Sequence, residues 1–343
     1  MKALYFYGRR DLRLEEVPMP EPGPGEVRLR VTDAGLSQTQ VNEFIEGPYL
    51  INEKPHPVTG IGAPMIPCQE FGGVVDAVGP GVDAGLIGQL AGALPMQPCM
   101  HCAFCHRGQH SICPSMTYMG LLGAHGGFAE YVVLKRENIY PMPRSPRSVM
   151  CFIEPLLMGL HVAKRVRIQR GQPLLIVGAG AVGCGMAAVW RDLYGADVYM
   201  HDILPERLER AAQIGLPPVT QAMLKSREFQ IVVDAAGKDV HSKDIAFSQA
   251  LGWVSPGGTL VDIGLYFFPV SVTPATFLIH EISIVPAWSY TLGDVPDMEQ
   301  LLAALRCDFS PLIEYVPLEN ILEGYYRAEI DKASFTRLVV GTP

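Results

Sequence analysis

Four cysteines lie close together in one segment of the chain, and their spacing is typical of a metal site. Cys99, Cys102, Cys105 and Cys113 occur in "PCMHCAFCHRGQHSIC", with the pattern C-x2-C-x2-C-x7-C. Four thiolates can hold Zn²⁺ tetrahedrally and so fix an irregular loop. Two disulfides are disfavoured in a reducing compartment, and an iron–sulfur cluster is disfavoured by the long last spacing. The pattern predicts one structural zinc ion, which has no open position for catalysis.

A glycine-rich turn forms the second chemical signal. Gly178, Gly180 and Gly183 in "GAGAVG" follow the apolar run "LLIV" and precede the helical "CGMAAVWRDLYG". Such glycines permit a tight turn, a close approach to a pyrophosphate and helix–strand packing. The next strand, "DVYMHD", ends at Asp202, whose carboxylate suits ribose hydroxyls and repels a 2′-phosphate. These features predict a dinucleotide site that prefers NAD(H) to NADP(H). Its remaining predicted residues are Ala181, Val182, Arg207, Gly237 and Gly264.

The elements around these motifs indicate two domains. Further strands, "FQIVVDAAG" and "GGTLVDIG", alternate with helices over residues 151–286, which predicts a doubly wound parallel sheet. The N-terminal part instead contains short strands interrupted by Gly and Pro, as in a β-rich domain. We therefore assign residues 1–150 and 287–343 to a β-rich domain, with the zinc lobe at 95–115, and residues 151–286 to the nucleotide domain.

Composition and charge narrow the class of partner. The chain of 343 residues has a net charge of −8 and no run of Lys or Arg, so nucleic acid and anionic membranes are disfavoured. The start, "MKALYFYGRR", does not have the length of a signal peptide, and no stretch approaches the roughly 20 apolar residues of a membrane span. These features predict a cytoplasmic protein that acts on a small molecule.

Taken together, these segments resemble the zinc-containing medium-chain dehydrogenase/reductase family over essentially the whole chain. The similarity lies in "PEPGPGEVRLRV", "EFGGVVDAVG", the cysteine lobe, "GGFAEYVVL", "EPLLMGLHV" and "VGAGAVG". The segment "NEFIEGPYLINEKPHPVTGIGAP" resembles the 2,3-butanediol dehydrogenase branch, a neighbour of sorbitol dehydrogenase. The resemblance implies an α/β protein with a GroES-like catalytic domain and a Rossmann domain. It further implies an NAD(P)(H)-dependent oxidoreductase that forms a homodimer or homotetramer, and a second zinc that polarises the substrate oxygen.

The positions that would hold this catalytic zinc depart from the family pattern. Ser37 stands where a thiolate ligand is expected, and Gln69 replaces the imidazole ligand of Gly-His-Glu. Glu70 keeps its place, Glu154 matches the carboxylate ligand of polyol dehydrogenases, and Thr39 keeps the relay hydroxyl. A neutral hydroxyl and an amide are poor zinc ligands. We therefore expect the catalytic zinc to be absent.

Three functions are compatible with this altered site. Without a metal at a carbonyl, reduction of a C=C conjugated to a carbonyl, as in a small cyclitol-like enone, is the leading expectation, with Thr39, Ser37 and Gln69 as donors to the enolate. The first alternative is a polyol or secondary-alcohol dehydrogenase, either with a metal on Glu70, Glu154 and water or with none. The second alternative is a non-catalytic protein that binds the cofactor, although the intact glycines and Asp202 disfavour it.

Overall fold

The computed structural model describes residues 1–142, 146–237 and 246–341. None of the described helices is long and apolar enough to cross a membrane. The described strands are β1 (Lys2–Gly8), β2 (Asp11–Glu16), β3 (Glu26–Gly35), β4 (Phe71–Val78), β5 (Leu90–Ala93), β6 (Met96–Gln97), β7 (Thr117–Met119), β8 (Gly123–Ala124), β9 (Tyr131–Lys135), β10 (Ile139–Pro141), β11 (Pro173–Val177), β12 (Asp197–His201), β13 (Phe229–Asp234), β14 (Val254–Asp262), β15 (Ser283–Pro286), β16 (Ile313–Val316) and β17 (Arg337–Gly341).

Helices connect these strands. The α-helices of the described residues are α1 (Gln38–Ile45), α2 (Ala103–His106), α3 (Ile153–Val166), α4 (Ala181–Asp192), α5 (Pro205–Gln213), α6 (Gln221–Ser226), α7 (Ala246–Trp253), α8 (Pro274–Leu278), α9 (Met298–Ala304) and α10 (Ile321–Ile330). The longest of them, α3, begins in a continuously buried segment that a short 3₁₀ helix (Arg147–Phe152) precedes.

The chain divides into two compact units. Unit 1 contains Met1–Glu154, Ile313–Lys332 and Arg337–Pro343, and unit 2 contains Pro155–Leu312 and Ala333–Thr336. The sequence assignment placed residues 287–312 in the first domain, whereas the structure places them in unit 2. A contact of the Asp294 carboxylate with α3 explains this placement. The carboxylate accepts a hydrogen bond from Lys164 Nζ (2.8 Å) and contacts His161 Nδ1 (3.1 Å).

Unit 1 is built on a β-sheet with β3 near its centre. The strand order is β10-β5-β4-β3-β17-β16, and β9 also pairs with β3. All of these pairs are antiparallel except β16 with β17. Val27, Leu29, Phe71 and Val75 project from β3 and β4 into a core that excludes water. The β-rich reading of this half of the chain is therefore confirmed.

Unit 2 contains a five-stranded parallel sheet in the order β12-β11-β13-β14-β15. The run "LLIV" in β11 is continuously apolar and buried, as expected for a central strand whose sheet is covered on both faces. The strand order reverses at β11, and ligands of doubly wound sheets bind at the carboxyl ends beside that reversal. The predicted nucleotide-binding fold is confirmed, and its glycine turn follows β11 directly.

Candidate active site

Ser37, the residue that stands in the position of a thiolate ligand, is the N-cap of helix α1. The Ser37 hydroxyl accepts a hydrogen bond from Gln40 N (3.3 Å), and Gln40 Oε1 accepts one from Ser37 N (3.0 Å). This reciprocal arrangement is a capping box. The prediction omitted Gln40, although the pattern Ser-x-x-Gln in "SQTQ" indicates it. Ser37 therefore serves to start the helix.

Gln69 joins this cap to the neighbouring carboxylate. Its Nε2 donates to Ser37 Oγ (3.0 Å) and to Glu70 Oε1 (3.0 Å), and its Oε1 accepts from Gln40 Nε2 (2.7 Å). The residue is buried. Both amide hydrogens and the amide oxygen are thus engaged within the protein. A donor role for Gln69 toward a substrate, as the enone hypothesis required, would need this network to open.

Glu70 forms a buried ion pair with Arg337 of β17. The Glu70 carboxylate contacts Arg337 Nη2, and each side chain is 1% exposed. Arg337 Nη2 also donates to Cys151 O (2.8 Å), and its guanidinium lies 5.4 Å from the centre of the Phe152 ring. A Cβ at Gly35 would clash with this guanidinium, which explains the glycine at the end of β3. Burial raises the pKa of Glu70, and the charge of Arg337 opposes that shift.

Glu154 pairs with a tyrosine that the sequence analysis did not identify. Tyr118, in β7, donates its hydroxyl hydrogen to Glu154 Oε1 (2.9 Å), and both side chains are buried. Burial and, next, the negative charge of Glu70 raise the pKa of Glu154 to about 8. No local sequence signal marks Tyr118, because its partner lies 36 residues further along the chain.

Thr39 differs from its neighbours because its hydroxyl is available. The residue lies in the first turn of α1 and is half-buried. Among the described residues, nothing hydrogen-bonds to the Thr39 side chain. Of the three donors predicted from the sequence, Thr39 is therefore the one that needs no rearrangement to reach a ligand.

These residues do not fit a catalytic zinc ion. Ser37 and Gln69 are neutral and hydrogen-bonded to each other, and Glu70 is committed to Arg337. Of the two carboxylates at this site, Glu154 is the one with no ion-pair partner among the described residues. Across the part of the chain that the structure describes, the four-cysteine cluster is the one group of three or more His, Cys, Asp or Glu side chains close enough to share a metal.

The four-cysteine cluster has the geometry of a structural zinc site. The four sulfur atoms of Cys99, Cys102, Cys105 and Cys113 lie within 4.8 Å of one another. The Cys99–Cys105 and Cys102–Cys113 sulfurs are each 3.9 Å apart. A tetrahedral ion with Zn–S bonds of about 2.3 Å needs sulfur atoms about 3.8 Å apart. The thiolates therefore fit one zinc ion, which would connect α2 to the segment that leads into β7.

The glycine turn after β11 has the shape that a pyrophosphate requires. Gly178 has a positive φ of 112°, which disfavours other residues. A Cβ at Gly183 would clash with the Gly178 carbonyl oxygen. Gly180 is the N-cap of α4 and provides no side chain, so the first N–H groups of the helix, at Ala181 and Val182, remain available to an anion.

The other candidate cofactor residues lie around the carboxyl end of the same sheet. Asp202 accepts from Ala179 N (2.8 Å) and Leu204 N (2.9 Å), which fixes its carboxylate at the glycine turn. The Arg207 guanidinium lies 4.0 Å from the position of a Cβ at Gly180. Gly237 and Gly264 follow β13 and β14 and approach each other closely. Unit 2 therefore brings all of the predicted cofactor residues to one edge.

Comparison with known proteins gives a consistent result. Residues 23–144 match the model of the alcohol dehydrogenase GroES-like domain. The (R,R)-butanediol dehydrogenase of Neisseria gonorrhoeae is 28% identical over 355 residues and covers 99% of both chains. Sorbitol dehydrogenase of Bacillus subtilis is 26% identical over 77% of this chain and 75% of its own. The crystal structure of 2R,3R-butanediol dehydrogenase from Bacillus subtilis has a TM-score of 0.85 at 23% identity, covering 100% and 99% of the two chains.

These similarities support the zinc-type medium-chain alcohol dehydrogenase family, on the side of the butanediol and sorbitol dehydrogenases, and the solved structure shares the fold. A member of this family is a nicotinamide-dependent oxidoreductase, and the named relatives are dehydrogenases of diols and polyols. The comparisons therefore favour an alcohol or polyol dehydrogenase. They do not support the enone reductase that we took as the leading expectation, and they disfavour a non-catalytic role.

Proposed function

We propose that this medium-chain dehydrogenase interconverts a small secondary alcohol or polyol with the corresponding ketone, using NAD(H) and no catalytic zinc. The observation that carries the proposal is the hydrogen-bond network of Gln69 with Ser37, Gln40 and Glu70. This network occupies the positions where the family resemblance implies metal ligands. The diol and polyol dehydrogenases among the relatives support the substrate class.

We assign a separate role in this reaction to the cofactor, to the Ser37–Gln40–Gln69 network and to Thr39. The cofactor, when bound, accepts or supplies hydride. The Ser37–Gln40–Gln69 network fixes the first turn of α1, and α1 presents the Thr39 hydroxyl. We propose that Thr39 hydrogen-bonds the substrate oxygen. Because no cation would stabilise an alkoxide there, the hydroxyl proton must leave as the hydride leaves.

The substitution Thr39→Val tests this assignment. We expect kcat for ketone reduction with NADH to fall about 10²-fold, because a hydroxyl in the proton path is lost without a change of shape. NADH affinity, measured by fluorescence, should not change, and Thr39→Ser should retain most of the activity. A kcat within twofold of wild type for Thr39→Val would remove this residue from the mechanism.

A substrate screen tests the function itself. We expect turnover of small diols with NAD⁺ and of hydroxyketones with NADH, and we expect it from protein that carries one zinc per chain. Turnover of enones with no turnover of alcohols or ketones would overturn the proposal. So would a second zinc equivalent that disappears in Glu70→Gln.

Asp202 supports the proposed preference for NAD(H). Its carboxylate is fixed at the glycine turn and carries the charge that repels a 2′-phosphate. In Asp202→Asn we expect the Kd for NADH to rise about tenfold and the Kd for NADPH to fall, because the charge is removed while the shape is kept. Asp197→Asn is the control, because Asp197 is an exposed position at the start of β12, the strand that Asp202 follows. An unchanged ratio of the two Kd values would contradict the assignment.

We also propose that the protein is a homodimer or homotetramer, as the family resemblance implies. Strand β15 is an edge of the unit 2 sheet, and Ser283, Ile284 and Pro286 are exposed there. An exposed edge strand presents backbone N–H and C=O groups that a second chain can pair with.

A further inference from the structure

We propose that Asp234 and Tyr266 are positioning residues, which hold the loops after β13 and β14 in the shape that binds the nicotinamide half of the cofactor. The inference rests on the nicotinamide-dependent class of the protein and does not depend on which substrate the enzyme takes. Asp234 is the last residue of β13, and Tyr266 lies four residues beyond the end of β14. Both residues belong to unit 2, as does the glycine turn after β11.

The strand order separates the two halves of a dinucleotide. Ligands of doubly wound sheets lie across the carboxyl ends of the strands, at the point where the strand order reverses. β12, which Asp202 follows, lies on one side of β11, whereas β13 and β14 lie on the other side. Because the Asp202 carboxylate suits the adenosine ribose, the nicotinamide half is expected over the ends of β13 and β14.

The loop after β13 lies directly against the glycine turn. A Cβ at Gly178 would lie 2.8 Å from Ala236 N, so a side chain at this position would clash with that loop. Ala235 N donates to Val177 O (2.8 Å), which connects the loop to the last residue of β11. A cofactor whose pyrophosphate binds at the glycine turn would therefore meet this loop next on the β13 side.

The loops after β13 and β14 approach each other through their glycines. A Cβ at Gly264 would lie 3.1 Å from Gly237 Cα and 2.9 Å from the Tyr266 ring, so a side chain does not fit there. Gly237 also has a positive φ of 61°, which disfavours other residues. Both glycines are half-buried. Glycine is typical of places where the main chain approaches a ligand closely, and the two loops together offer such a surface.

Asp234 and Tyr266 connect these loops through hydrogen bonds. The Asp234 carboxylate is fully buried, and its Oδ1 accepts from Ala236 N (3.0 Å) and Gly237 N (3.4 Å) of its own loop. Its Oδ2 accepts from the Tyr266 hydroxyl (2.6 Å), which comes from the loop after β14. The same hydroxyl oxygen accepts from Phe247 N (3.2 Å) near the start of α7. One phenol therefore joins three segments of unit 2.

The Asp234 carboxylate depends on these hydrogen bonds. Among the described residues, no cation pairs with it, and Asp262 lies directly opposite it on β14. Burial raises the pKa of Asp234, whereas the Tyr266 hydroxyl and then the backbone N–H groups oppose that shift. A buried carboxylate without a counter-charge costs free energy unless hydrogen bonds compensate it. Loss of the Tyr266 hydroxyl should therefore disturb the two loops that Asp234 connects.

Binding of NADH and of ADP to Tyr266→Phe separates positioning from a general loosening of unit 2. ADP contains the adenosine and the pyrophosphate of the cofactor but lacks the nicotinamide riboside. We expect the Kd for NADH, measured by fluorescence, to rise about tenfold, because one buried hydrogen bond is lost where the nicotinamide half binds. The Kd for ADP, measured by calorimetry, should stay within twofold of wild type, because the glycine turn and Asp202 are unchanged.

Three further variants complete the comparison. Asp234→Asn keeps the shape of the side chain but removes its charge, and it should also raise the Kd for NADH alone. Asp202→Asn changes the adenosine side, so it should raise the Kd for both NADH and ADP. Tyr315→Phe is the matched control, because it removes a similar hydroxyl–carboxylate bond, 3.0 Å long, to Asp33 of unit 1. Both of its Kd values should equal those of wild type.

The ratio of the two Kd values decides the inference. A rise for NADH alone in Tyr266→Phe supports it. An NADH Kd within twofold of wild type overturns it, and so does an equal rise for NADH and ADP, because the role of Tyr266 would then be structural. If Tyr266→Phe does not fold, the same ratio in Asp234→Asn decides in its place. Wild-type protein that binds NADH but converts no secondary alcohol or ketone overturns the proposed function alone, whereas wild-type protein that binds neither NADH nor NADPH overturns both.

Discussion

Purified wild-type protein is expected to contain one equivalent of zinc per chain, and Cys102→Ser is expected to remove it. Cys102 both contributes a sulfur to the cluster and accepts a hydrogen bond from Cys105 N (3.4 Å) at the start of α2. Three remaining thiolates bind zinc far more weakly than four. A structural zinc of this kind contributes about 10 kcal/mol or more to the folded state of small zinc-binding domains. We therefore expect residues 95–115 of Cys102→Ser to be cleaved by proteases faster than those of wild type.

Zinc release with a chromogenic chelator and limited proteolysis are the two measurements. Cys184→Ser is the matched control, since Cys184 is fully buried but lies in unit 2, outside the cluster. Its zinc content should equal that of wild type. A Cys102→Ser variant that retains its zinc would mean that the metal is held elsewhere, and the site around Glu70 would then have to be reconsidered.

The buried ion pair of unit 1 leads to the second large effect. Arg337→Met should reduce the free energy of unfolding by about 3–5 kcal/mol, because it leaves the Glu70 carboxylate buried without its counter-charge. The side chains of both residues are 1% exposed, so water cannot replace the guanidinium. The free energy of unfolding is measured by urea titration, with a spectroscopic signal that reports on unit 1. The same measurement on the single and double mutants gives a double-mutant cycle.

The cycle separates the pair from the packing around it. Glu70→Gln in the Arg337→Met background should recover most of the lost free energy, since a neutral amide next to Met carries no unpaired charge. Arg327→Met is the control, because the Arg327–Glu314 pair lies at the surface, where such pairs contribute about 1 kcal/mol or less. If Arg337→Met and Arg327→Met lowered the free energy of unfolding equally, burial would not explain the contribution of the Glu70–Arg337 pair.

Local sequence patterns predicted the parts of this protein that local geometry determines. Two sets of residues lie close together in the sequence: the glycine turn with Asp202, and the four cysteines. The members of each set are also close together in the structure. Ser37 and Gln69 were found because they depart from a family pattern. Their actual role, a hydrogen-bond network in place of metal ligands, depended on Gln40, which the capping-box pattern indicates but which we did not use.

Long-range contacts explain what the sequence did not reveal. Arg337 reaches Cys151 O across 186 positions of the chain, and nothing in the residues around it indicates that it pairs with Glu70. Tyr118 donates to Glu154 within unit 1, and the spacing of 36 residues along the chain does not indicate this contact. The domain boundary at 286 was misplaced for the same reason, since Asp294 belongs with α3 through side chains that lie more than a hundred residues apart.

The use of Ser37 as a helix cap has a consequence for any attempt to install a metal site here by mutation. Returning Ser37 to Cys would weaken the start of α1 and leave Gln69 and Gln40 with unmet hydrogen bonds, while supplying one metal ligand of the several needed. Changing Gln69 to His would likewise remove the hydrogen bonds of Gln69 with Ser37 and Gln40 while supplying one metal ligand. Each single step back is therefore deleterious, and only a simultaneous change at several positions would restore a metal site. Ser37, Gln40 and Gln69 therefore act as one unit, in which a change at one position removes a hydrogen bond made by another.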